Sequence, residues 1–132
     1  EANSLYNTPP TFGIYLLNLT MQHLLDLGGL AEVEKINAKK ASTLYSIIDG
    51  SNGFYVGHAK KSSRSDMNVS FTIPKDHALE PVFVEEALKE GMLGLKGHRH
   101  LGGIRASIYN AVSQSDVEKL GEFMREFARK HG

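Results

Sequence analysis

The sequence has no cysteine, no tryptophan, only four prolines and no formal net charge over its 132 residues. Without cysteine there are no disulfides, no thiolate chemistry and no Cys-type zinc site. The same absence suits a reducing compartment, and a cytoplasmic location is expected. Fifteen basic residues balance fifteen acidic ones. A nucleic-acid partner, which needs a broad basic footprint, is therefore not expected. Long apolar runs are also missing. The best of them, FGIYLLNLTMQHLLDL, is interrupted by Asn18, Gln22, His23 and Asp26. It is too short and too polar to span a bilayer, so no membrane partner is expected. The opening EANSLYNTPP has no basic head or small-residue cleavage pattern and does not read as a signal peptide. The length fits one domain or one piece of a larger one.

What is present reads as alternating helices and strands. In NTPPTF, Thr8 can cap a helix and Pro9 suits its first position, where no N–H is needed. Apolar residues then recur in a helical rhythm until Gly28-Gly29 stops it. Phe12, Ile14, Leu16, Leu17 and Leu19 crowd more than one face, so this helix is expected either to be buried on several sides or to pack against something outside this chain. A second helix is expected over Leu30–Asp49, with Val33, Ile36, Ala41, Leu44, Ile47 and Ile48 as its stripe. Phe54-Tyr55-Val56 reads as a short strand. Met67, Val69, Phe71 and Ile73 alternate with polar residues, the pattern of a strand with one buried face. A short helix lies between Pro81 and Gly91. LGLKG and IRASIY are expected strands around an HRHLGG turn. A last helix shows a capping box, Ser115-x-x-Glu118, and a Val117, Leu120, Met124, Phe127 stripe. The order α-α-β-β-α-β-β-α predicts an α+β fold: a two-layer sandwich with a small, mainly antiparallel or mixed sheet and helices on one face.

One stretch stands apart. No aspartate or glutamate occurs from Gly91 to Ser115, yet Lys96, His98, Arg99, His100 and Arg105 fall within it. Glycines at 97, 102 and 103 permit positive φ and close approach of a ligand to the backbone. A guanidinium offers a planar fork that matches carboxylate or phosphate, and an imidazole adds a partly charged donor. The stretch reads as an anion site for a ligand with two anionic ends, set against the ordinary alternative of a solvated basic loop. His98 and His100 could grip a metal from one strand face, but no third ligand has suitable spacing, and no metal is expected. Arg64 reads as a solvated loop residue or a sheet-edge charge. Asn7 and Thr8 sit at a helix start, where free N–H groups favour anions. RNA binding is disfavoured, because Tyr109 is the only stacking residue near the basic stretch. A stand-alone anion-binding or regulatory α+β module is the alternative to an enzyme part.

LYNTPPTFGIY, RSDMNVSFTI and LKGHRHLGGIRASIYNAVS resemble three motifs of the phosphoserine aminotransferase family, in that family's order and across essentially the whole chain. The resemblance implies a fold-type I enzyme that uses pyridoxal 5′-phosphate. Such an enzyme transfers the amino group of glutamate to 3-phosphohydroxypyruvate, giving phosphoserine and 2-oxoglutarate in serine biosynthesis. It implies a homodimer with active sites at the interface. It assigns Asn7 and Thr8 to the cofactor phosphate of the partner subunit. His98 and Arg99 are assigned to the substrate's distal phosphate or the glutamate side-chain carboxylate, and Arg105 to the α-carboxylate. His100 departs from the small or apolar residue usual at its place and receives no role. The family's cofactor lysine lies before these motifs, and none of the lysines here occupies its motif. On this resemblance residues 1–132 are a C-terminal small domain. Residues 8–28 are the helix leading in from a large domain that binds the cofactor covalently, and no catalytic residue lies in the chain itself.

Overall fold

A computed structural model describes residues 6–132. Residues 1–5, which begin the segment read for a leader and include Leu5 of the first motif, lie outside the described residues. Two units divide between Lys35 and Ile36.

The first unit holds helix α1, Thr11–Asp26, and the first turns of α2, which runs over Leu30–Gly50. The helix starts two residues later than a Thr8 cap would place it. Pro10 occupies the N-cap with no side-chain hydrogen bond, so the tandem prolines, and not a hydroxyl, set the start. Gly28 and Gly29 end α1 as expected, with φ of 104° and 77°. No residue of α1 is buried.

The second unit is an antiparallel sheet covered on one face by helices. Its strands are β1 (Val56–Gly57), β2 (Asn68–Thr72), β3 (Lys96–His98) and β4 (Gly102–Ser107), in the order β1-β2-β4-β3. Helix α3 (Leu79–Lys89) carries the chain from β2 past β4 to the far edge, and α4 (Gln114–His131) follows β4. The architecture is the predicted α+β sandwich. Val69 and Phe71 of β2 and Ile104 and Ala106 of β4 turn to the same face. There they join Leu44 and Ile48 of α2, Phe83 and Ala87 of α3, and Val117, Leu120, Met124 and Phe127 of α4 in one core. Much of that core is aromatic. Tyr55 meets Phe54, Phe71 and Phe83 edge-on, and Phe83 meets Phe127 at 5.0 Å, geometries in which ring quadrupoles attract.

Three local expectations are corrected. Phe54 and Tyr55 are not strand residues: β1 begins at Val56, and the two rings plug the core from the turn before it. The capping box of α4 is Ser113 with Asp116, not Ser115 with Glu118. The Asp116 N–H donates to the Ser113 hydroxyl, and the Ser113 N–H donates to the Asp116 carboxylate. Arg64 is not a solvated loop residue. Its guanidinium grips both Asp49 carboxylate oxygens at 2.9 and 2.6 Å and lies 4.4 Å over the Tyr45 ring.

Lys40 is the one lysine withdrawn from solvent. Its ammonium donates to the carbonyls of Ile108, Tyr109 and Val112 at 3.1, 2.8 and 3.0 Å. Three backbone acceptors satisfy its three N–H bonds, and α2 thereby pins the connection that leaves β4. Asn37, one turn earlier, holds Asn110 of the same connection at 2.8 Å.

Candidate functional site

The acid-free stretch folds into the β3–β4 hairpin, and glycine is required at two of its positions. A Cβ on Gly97 would stand 2.0 Å from the Gly102 carbonyl oxygen, and one on Gly103 would stand 2.8 Å from that of Phe71. Gly102 and Gly103 also have φ of 68° and 73°, a left-handed pair that turns the chain from the hairpin tip into β4. The strands therefore pack closer than any side chain allows, and the charged residues are displaced to the tip and the outer face.

Strand alternation decides which face each residue takes. In β4, Ile104 and Ala106 enter the core while Arg105 and Ser107 leave on the other side. Cross-strand pairing places Ser70 opposite Arg105 and Asn68 opposite Ser107. The Ser107 hydroxyl donates to the Asn68 amide oxygen at 3.1 Å, and the Tyr109 hydroxyl reaches the same oxygen at 3.3 Å. The Asn68 and Ser107 side chains, with the Arg105 cation nearby, hold the Tyr109 phenol below its ordinary range.

The hairpin shares its cations between two adjoining hollows. Arg105 borders a small one, about 50 Å³, with His58, Ser70, Thr72 and His98. Arg99 borders a larger groove, about 460 Å³, between the hairpin and α3, with His98, Lys96, the apolar Pro81, Val84 and Leu88, and the carboxylates of Glu80 and Glu85. His98 belongs to both. At the tip the backbone N–H of His100 donates to His98 Nδ1 at 3.3 Å. Among the described residues neither Arg99 nor Arg105 has a carboxylate partner, in contrast to Arg64, which Asp49 neutralises. Arg99 and Arg105 thus line no common hollow: each guanidinium fork can take an anionic group of its own, and His98 alone stands at both places. His58, Ser70 and Thr72 carried no signal in the sequence, because only the strand register brings them beside Arg105. Asn7 and Thr8 are exposed residues of the first unit, ahead of α1.

A family model for class-V aminotransferases matches residues 1–120. The chain belongs to that family. Among curated relatives, the phosphoserine aminotransferase of Campylobacter lari is 61% identical over 131 residues, 99% of this chain and 37% of the relative. That of Bacillus subtilis is 56% identical over the same length, 36% of the relative. The solved phosphoserine aminotransferase from Bacillus circulans subsp. alkalophilus superposes with a TM-score of 0.93 at 50% identity, over 99% of this chain and 36% of that one. The PLP-bound phosphoserine aminotransferase from Trichomonas vaginalis gives 0.84 at 39% identity, over 93% and 35%. The chain thus spans a little over a third of the length of these family members.

Class-V aminotransferase membership raises the question of a lysine for the cofactor. All ten lysines fall within the described residues. Nine are exposed, and Lys40 alone is enclosed, with its nitrogen committed to three carbonyls. Lys40, the enclosed lysine, therefore does not fit a covalent cofactor anchor.

Proposed function

We propose that this chain is the substrate-clamping part of a phosphoserine aminotransferase, which moves the amino group of glutamate onto 3-phosphohydroxypyruvate to give phosphoserine and 2-oxoglutarate in serine biosynthesis. The observation that carries the reading is identity of 60% or so with curated phosphoserine aminotransferases along 99% of the chain, joined to a hairpin whose free cations suit doubly anionic ligands. Each of the four reactants has an α-carboxylate and a distal phosphate or carboxylate. Arg105 donates two parallel hydrogen bonds to the α-carboxylate, which accepts one on each oxygen. His98 and Arg99 take the distal anion. Holding both ends fixes the reacting carbon without touching it, and fixing it removes most of the entropic cost of meeting the cofactor.

Pyridoxal 5′-phosphate, carried by the remaining two-thirds of the protein, supplies the electron sink and the temporary store for the amino group. Asn7 and Thr8 reach the cofactor phosphate of the partner subunit in a homodimer whose active sites lie at the interface. Residues 1–132 are the small domain, and the helix read over 8–28 leads in from the large one. That helix has Phe12, Ile14, Leu16, Leu17 and Leu19 all exposed, which supports a covering lobe. The test is transamination by the full-length protein between phosphoserine and 2-oxoglutarate. Turnover with phosphoserine should exceed that with alanine, which lacks a distal anion, by at least ~100-fold in kcat/KM. Equal use of the two donors, or no turnover of phosphoserine, overturns the reading.

A further inference from the structure

Glu80 belongs to none of the motifs, yet its carboxylate reaches the bend on which the clamp is mounted. It stands in the first turn of α3, where the helix dipole favours a negative charge, and its side chain is only 13% exposed. Its Oε2 accepts from the Gly103 N–H at 3.1 Å, and its Oε1 accepts from the Ile73 N–H at 3.1 Å. His77 Nδ1 lies 2.9 Å from the same Oε1. Both N–H groups fall just beyond the last β2–β4 pair, Phe71 with Ile104. There the left-handed Gly102-Gly103 bend carries the chain off the ladder. One carboxylate thus stands in for a missing rung: it ties the end of β2 to the start of β4, from a helix outside the sheet. Charge-assisted bonds of this kind are roughly twice as strong as neutral ones.

We propose that Glu80 is a positioning residue for the anion clamp. Its hold on Gly103 sets the angle at which the hairpin tip, with His98 and Arg99, leaves the strand that carries Arg105 one position beyond Ile104. The distance between the two anion-holding ends is therefore fixed by a helix-borne carboxylate. The inference rests on the function proposed above, because it assumes that both ends are used at once.

The test uses the full-length protein. Glu80→Gln keeps the shape but turns an amide N–H₂ toward one of the two backbone donors. KM for phosphoserine and for glutamate should both rise about tenfold, with kcat changed less than about threefold. Amide exchange at Gly103 and Ile73 should quicken about tenfold, while Ile104 and Ala106 stay protected. Glu122→Gln, on the exposed side of α4, should leave every value unchanged. If Glu80→Gln does not fold, Glu80→Asp carries the test. Its shorter arm keeps the charge, and KM should rise severalfold with the melting temperature held. Unchanged KM in the folded variant, or unchanged exchange at Gly103 and Ile73, overturns the role of Glu80. A wild-type protein that does not transaminate phosphoserine would instead sink the proposed function, and the exchange result would still decide whether Glu80 holds the bend.

Discussion

Arg105 stands directly across from Ser70 in the β2–β4 register, flanked along its own strand by Ile104 and Ala106, both of them buried. The backbone at this point is fixed from both sides. The guanidinium therefore projects from a rigid strand, not from a mobile loop, and a fixed fork loses little freedom on binding a carboxylate.

Replacing Arg105 should harm both half-reactions alike, since every reactant carries an α-carboxylate. In the full-length enzyme Arg105→Ala should lower kcat/KM for phosphoserine and for glutamate by a factor equivalent to on the order of 2–5 kcal/mol. Arg105→Lys should recover little of it, because an ammonium cannot make the two parallel bonds of a guanidinium. Steady-state kinetics with both substrates checks this, and wild-type values in Arg105→Ala would remove Arg105 from the clamp.

Lys40 offers a separate test of how the far end of β4 is held. Lys40→Met keeps the volume and leaves the carbonyls of Ile108, Tyr109 and Val112 without their donor. Three stranded acceptors in the interior should cost about 2–4 kcal/mol of stability, measured by urea unfolding. Burial already pushes the Lys40 ammonium below its ordinary range. A neutral replacement is therefore spared one desolvation cost, and this keeps the expected loss below the sum of three independent hydrogen bonds.

Periodic elements were legible in the sequence; features that depend on register were not. The alternation of Val69, Phe71 and Ile73 and the stripe from Val117 to Phe127 are local patterns, and both appear in the core as read. The start of α4 is ambiguous in the sequence, because Ser113-x-x-Asp116 and Ser115-x-x-Glu118 satisfy the same rule. What separates them is backbone: Ser113 has the extended ψ of 160° that an N-cap requires. Phe54 and Tyr55 carry strand propensity but fill the core from a turn, where packing overrides propensity. His98, Arg99 and Arg105 were recognisable from charge and glycine spacing. Ser70 and Glu80 were not, since one reaches the site through pairing with a strand 35 positions later in the register 70↔105 and the other through the placement of a helix.

The Arg64–Asp49 pair should show itself in acid. The Arg64 hydrogen bonds, ahead of the contact from Lys61, hold the Asp49 carboxyl well below the usual carboxylate range in the folded chain. A folded-state value below the unfolded one means that the pair contributes its full stability above the ordinary carboxylate range. That contribution drains away as pH falls through that range toward the folded value. Melting temperatures of wild type and Asp49→Asn should differ by a constant amount near neutrality and converge in acid. A gap that stays constant down to acid would show that the carboxylate charge is irrelevant there.

Helix α1 gives the sharpest test of the proposed lobe arrangement. It has sixteen residues, no side-chain cap and no buried residue. Isolated helices of about this length are marginal in water even with good propensity. Gly13 and Thr20 lower the propensity further. Phe12 at 72% exposure and Leu25 at 65% lie far from the behaviour of core residues. If a larger lobe covers them in the complete protein, amides along Ile14–Leu25 should be protected there by several orders of magnitude. In residues 1–132 alone they should be protected by less than about tenfold. The second unit, with its own aromatic core, should keep slow exchange at Ile104 and Ala106 in both. Hydrogen exchange read by mass spectrometry on the two proteins separates the cases. Equal protection of α1 in both would mean that the helix needs no cover, and residues 8–28 would lose the role of a lead-in from a larger lobe.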